Sequence, residues 1–175
     1  MKNRFKTFFI FLFSIFFYLC SPVISNEIKF EAENIETIDK NLITATNNIV
    51  ISDSYGNKIY GNKLIIQDEK FYTITGNVIF TNINNSLKLN TDKITYNVND
   101  NIIRTIGDTK IVKDDSYFIS TSNVLYNIKD EKISSSEETL LEDLQSNKVK
   151  IKNFNISLTE NLFRANNAYI IDKSL

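Results

Sequence analysis

Histidine and tryptophan are absent from this 175-residue sequence, and cysteine, proline and methionine occur once each. Without histidine the chain lacks the usual general base at neutral pH and the commonest nitrogen ligand for metals. Its one cysteine, Cys20, sits in an apolar leader, so the rest has no disulfide, thiolate nucleophile or zinc-binding sulfur. The one proline, Pro22, lies in the same leader, so nothing beyond it interrupts a strand. The four glycines, Gly56, Gly61, Gly76 and Gly107, are scattered, which excludes a Gly-rich phosphate loop. With 21 acidic against 20 basic residues and no Lys/Arg cluster, the chain has no footprint for nucleic acid.

What is present begins with a targeting pattern. Lys2, Arg4 and Lys6 make a basic start, Phe8 to Leu19 is apolar apart from Ser14, and Val23-Ile24-Ser25 ends in a small residue. This predicts a signal peptide over 1–25, cleaved after Ser25. The rival is a retained anchor, since the apolar run extended to Ile24 approaches the shortest spanning length. Phe17, Tyr18 and Leu19 before Cys20 argue against lipidation. The remaining residues, 26–175, make one domain with a real core, and all the acidic residues lie there. The abundance of Asn, Ile and Lys is given no functional weight.

A period-two alternation runs through the whole domain. Tyr72, Ile74, Val78 and Phe80 alternate with Thr and Asn, as do Leu87, Leu89, Ile94 and Tyr96 with polar residues, the pattern of strands with one buried face. Similar units recur every 15 residues, centred at Thr46, Gly61, Gly76, Thr91, Ile106, Thr121, Ser136, Ile151 and Asn166, with turn compositions between them. The apolar parity switches across Gly61, Thr91, Thr121 and Ile151 and is kept in the units between. A switch of face predicts an extra residue, a bulge or corner, at Thr91–Asp92 and its equivalents. The units that keep parity are expected to be unkinked, with Phe163, Ala165, Tyr169 and Ile171 on one face of the last. The fold class is therefore all-β: a single antiparallel jellyroll, open or V-shaped, with an apolar interior. A parallel β-solenoid is the rival, but its rungs give no reason for alternate copies to switch parity. Ser135 to Gln145 could open as a helix; the resumed register at Ile151 keeps it extended.

Carboxylates are the remaining candidates for chemistry. Asp53, Asp68, Glu69, Asp100, Asp114, Asp115, Asp130 and Glu131 fall in polar turns, where solvated charge is the ordinary explanation. Neither Asp114-Asp115 nor the acidic run from Glu137 to Asp143 has the spacing of a calcium loop. The expectation is a non-enzyme with no metal and no cofactor. Either a filled sandwich or an apolar groove remains as the working part, and a carbohydrate-active solenoid or plain secreted scaffold is the alternative.

TGNVIF at Thr75 to Phe80, followed by LKLNTDKITYNV at Leu87 to Val98, resembles the paired motif of the OstA-like family, the β-jellyroll domains of the lipopolysaccharide transport (Lpt) machinery. Phe30 to Ile35, Ile43 to Ala45, Ile59 to Leu64 and Thr121 to Tyr126 are weaker copies. The resemblance implies a periplasmic protein of outer-membrane biogenesis whose jellyrolls stack edge to edge and carry lipid A acyl chains inside. Within the family it leans, from Tyr117–Thr139 and the stop at Leu175, towards the amino-terminal domain of the outer-membrane assembly protein, with the bridge protein close behind and the anchored inner-membrane component as the third alternative. It implies acyl contacts from Ile74, Val78, Phe80, Leu87, Leu89, Ile94, Tyr96, Ile119, Val124 and Tyr126. The terminal strands, marked by Ile28, Lys29 and Phe30 and by Ala165, Tyr169 and Ile171, lack proline guards, which predicts pairing with other Lpt jellyrolls or a second copy.

Overall fold

A computed structural model describes residues 28–160 and 162–171; the predicted signal peptide and its cleavage after Ser25 lie outside them. The described chain forms one antiparallel sheet of thirteen strands. In order these are β1 (Lys29–Glu31), β2 (Asn34–Asp39), β3 (Leu42–Ser52), β4 (Asn57–Gln67), β5 (Phe71–Asn82), β6 (Leu87–Asn97), β7 (Ile102–Thr105), β8 (Asp108–Lys113), β9 (Tyr117–Ser122), β10 (Leu125–Asn127), β11 (Lys132–Asp143), β12 (Lys148–Ser157) and β13 (Leu162–Ile171). Every pairing is antiparallel, which excludes the solenoid. Ser135 to Asp143 stays extended within β11, as its register requires.

Each long strand crosses a bend that folds the sheet into two facing walls. One wall holds the second half of β5, the first half of β6, β8, β9 and the second half of β11; the other holds their remaining halves with β7 and β10. The folding-over is visible in Phe80 and Tyr126, whose rings meet edge to face at 5.5 Å although β5 and β10 are not neighbours in the sheet.

The face switches fall where the sequence places them, but most of the bulges do not. On β4, β6, the β9–β10 line and β12 the inward residues step by three: Gly61 to Leu64, Thr91 to Ile94, Thr121 to Val124, Ile151 to Phe154. On β3, β5, the β7–β8 line and β11 they step by four: Ala45 to Ile49, Ile74 to Val78, Thr105 to Thr109, Ser135 to Thr139. Register shifts accordingly put the unmatched residue on strands expected to be unkinked, such as β5 between Thr75 and Val78, and not at Thr91–Asp92. On β12, by contrast, Asn153, with left-handed φ, is unmatched against β13 beside the corner expected at Ile151. Within the four-residue steps Asn47, Asn48, Gly76, Asn77 and Gly107 have left-handed φ, the conformation that Asn and Gly adopt at least cost. The Asn-rich composition thus has a structural use.

The last strand is a second correction. Tyr169 pairs with the outward Lys150, and Ile170, not Tyr169, stands opposite the inward-parity Val149. Asn167, in the left-handed region, separates these residues from Ala165.

Buried hydroxyls line the bend. Thr109 Oγ1 donates to Thr105 Oγ1 at 2.7 Å, and Thr105 Oγ1 accepts from the Val124 amide at 2.8 Å. Thr139 Oγ1 donates to Thr121 Oγ1 at 2.8 Å, and Ser135 Oγ to the Ser122 carbonyl at 2.8 Å. They satisfy backbone groups that a bent ladder would strand away from water.

Candidate functional site

The interior between the walls is closed over its middle. All ten residues singled out for acyl contact point into it, and none is more than 3% exposed. Phe80 and Leu89 from one wall pack with Ile74, Ile94, Tyr96 and Tyr126 from the other in one continuous cluster. The edge-to-face Phe80–Tyr126 pair adds about 0.5–1.5 kcal/mol beyond area burial. Burial pushes the Tyr126 hydroxyl up to about 12, with a hydrogen bond from Asn85 acting in the opposite sense and the Glu131 and Asp53 carboxylates reinforcing the rise.

Towards the C-terminal end the walls part. A cavity of about 250 Å³ lies between Lys113, Asp114, Tyr117, Ile119 and Leu141 on one side and Ile156, Leu162 and Phe163 on the other. Its lining is apolar except at the rim, where the Lys113 ammonium is 2.5 Å from the Asp114 carboxylate. Phe163 stacks on Phe154 with ring centroids 6.0 Å apart. Ile119 alone of the ten expected contacts reaches this cavity. Leu141, Ile156, Leu162 and Phe163 also line the cavity and were not among those ten, although the 15-residue register places Ile156 and Phe163 on the inward face.

The sheet ends where the terminal strands were expected to leave it. Among the described residues, β1 and β2 both pair with β3 and have no outer neighbour, and β13 pairs with β12 alone. Phe30 and, just before β1, Ile28 are half-buried against the core, while Lys29 is exposed. On β13, Ala165 is half-buried, Phe163 is 36% and Ile170 85% exposed, and Ile171 closes the ladder opposite Lys148. Among the described residues, the apolar interior therefore runs out to an uncovered edge at each end.

The turn carboxylates shape turns. Asp68 and Glu69, like Asp114 and Asp115, are consecutive left-handed residues at hairpin tips, closed by Lys70 N–H to Gln67 carbonyl and Ser116 N–H to Lys113 carbonyl bonds of 3.1 Å. Asp53 accepts from the Tyr55 and Asn57 amides and from the Asn57 side chain.

No protein-family model matches the chain, and a comparison with curated proteins finds no match. Among solved structures, the fold is similar to the crystal structure of LptH from Pseudomonas aeruginosa, described as the LptA-homologous periplasmic component of the conserved lipopolysaccharide transport device. The TM-score is 0.56 at 16% identity, over 63% of this chain and 82% of that one. The likeness shows the fold, a β-jellyroll of the kind the TGNVIF-type motifs led us to expect.

Proposed function

We propose that this chain is a non-enzymatic periplasmic carrier in lipopolysaccharide transport, taking acyl chains between its walls at the C-terminal end and handing them to neighbouring jellyrolls across paired edges. The observation that carries the reading is the apolar cavity between Ile119, Leu141, Ile156 and Phe163, which opens beside β13, a strand with no outer neighbour among the described residues. Seating even five methylenes there contributes about 4 kcal/mol, enough for transient holding and weak enough for release. An added strand on β13 would pair its backbone and cover Phe163 and Ile170 together, continuing the trough into the next domain.

The test is photo-crosslinking in the producing cell. Benzophenone side chains at Leu141 or Phe163 should capture lipopolysaccharide, and at the exposed Lys150 or Arg164 should not; equal yields would remove the carrier reading. The same groups at Lys29 and Asn167 should capture other jellyrolls, and the captured protein distinguishes the finer placements: the amino-terminal domain of the outer-membrane assembly protein LptD or the bridge between membranes.

A further inference from the structure

The closed middle is held at its mouth by two turns far apart in sequence. Asn85, in the β5–β6 turn of one wall, donates through Nδ2 to Glu131 Oε1, in the β10–β11 turn of the other, at 3.5 Å. That bond is long, and on the Asn85 side it is braced from behind. Asn82 Oδ1 accepts from the Asn85 amide at 2.8 Å, Asn82 Nδ2 donates to Asn57 Oδ1 at 2.6 Å, and Asn57 Nδ2 to Asp53 Oδ2 at 2.8 Å. Asn57 and Asn82 are both buried, so this rim is rigid. Across the mouth, Glu131 Oε2 accepts from Thr159 Oγ1 at 3.1 Å. Directly beneath lie Tyr126, hydrogen-bonded to Asn85, and its ring contact with Phe80. The two walls are thus bridged at this rim by a long hydrogen bond between the two turns.

We propose that Asn85 and Glu131 form a releasable latch. It shuts the walls over the Phe80–Tyr126 pair and divides the interior into a closed middle and an open C-terminal cavity. A chain seated in the cavity advances into the middle only when the latch parts. This goes beyond the carrier reading, and only its lipid arm rests on that reading.

Two measurements test it, both in a Cys20→Ser background, which leaves no other cysteine. First, spin labels on Ile83→Cys and Lys129→Cys report the width of the mouth by pulsed dipolar spectroscopy. Asn85→Ala with Glu131→Ala should lengthen and broaden the distance distribution, whereas an unchanged distribution in a folded protein overturns the latch. Second, Asn85→Cys with Glu131→Cys is oxidised to lock the mouth, and purified lipopolysaccharide is offered to benzophenone groups at Leu87 or Phe163. Locking should abolish capture at Leu87 and leave capture at Phe163 intact, with reductant restoring the former. Equal capture at Leu87 in both redox states also overturns the latch. Absence of capture at Phe163 in either state refutes the carrier reading instead, and the spin-label distances then decide the latch alone.

Discussion

A methyl group added at Gly61 would lie 2.5 Å from Ile74 Cγ2. The φ of Gly61 is not left-handed, so the requirement for glycine is purely one of space at the bend. Ile74 is fully buried and cannot swing into solvent, and the Thr75 carbonyl oxygen stands behind it, 3.4 Å from the same methyl. Overpacking of this kind costs roughly 1–3 kcal/mol, while alanine recovers about 0.4–1 kcal/mol by restricting the unfolded chain. Gly61→Ala should therefore destabilise the domain by on the order of 1–2 kcal/mol. Ile74→Ala alone should cost about 2–5 kcal/mol, but in the Gly61→Ala background the new methyl occupies part of the vacated space. The double-mutant cycle, measured by urea unfolding with far-ultraviolet circular dichroism, should show favourable coupling of about 1–2 kcal/mol. Additivity within about 0.5 kcal/mol would refute the close approach of β4 and β5 at the bend.

The bulge on β5 predicts that Asn77→Ala, which must hold φ near 50°, loses about 1 kcal/mol in the same unfolding assay, and that Asn77→Gly loses little; equal losses would remove the conformational explanation. Tyr126 predicts an alkaline effect. Its folded-state value of about 12 lies above the unfolded value near 10, so its contribution is fully present below pH ~10 and is lost as pH rises towards ~12, about 2–3 kcal/mol in all. Tyr126→Phe should flatten the fall in stability between those limits, and an unchanged slope would count against the burial of that hydroxyl.

Alternation and turn chemistry made the strands, their antiparallel arrangement and the face switches legible, because a residue on a half-buried strand has only two directions to point. The bulges were hidden by an arithmetic of faces. A four-residue step such as Ile74 to Val78 preserves parity, so a strand with two left-handed residues looks straight in sequence. The three-residue step at Thr91 to Ile94 looks kinked and has no residue with left-handed φ, whereas its equivalents at Thr121 to Val124 and Ile151 to Phe154 hold the left-handed Asn123 and Asn153. In β13 the alternation misassigned Tyr169 because Asn167 lies between it and Ala165, and asparagine composition had been set aside. The cavity and the latch were not legible at all. Each joins residues that meet only when the sheet folds over, Ile119 with Phe163 and Asn85 with Glu131, and no local pattern encodes the distance between two walls.

The central claim is that the space between the walls, entered at the C-terminal end, receives acyl chains. Methyl-resolved NMR during titration with lipopolysaccharide tests it most directly. Resonances of Ile119, Leu141, Ile156 and Leu162 should shift first, while those of the outward-parity Val50, Ile65, Ile79 and Val112 stay in place; shifts confined to the outward set, or none in either, would contradict it.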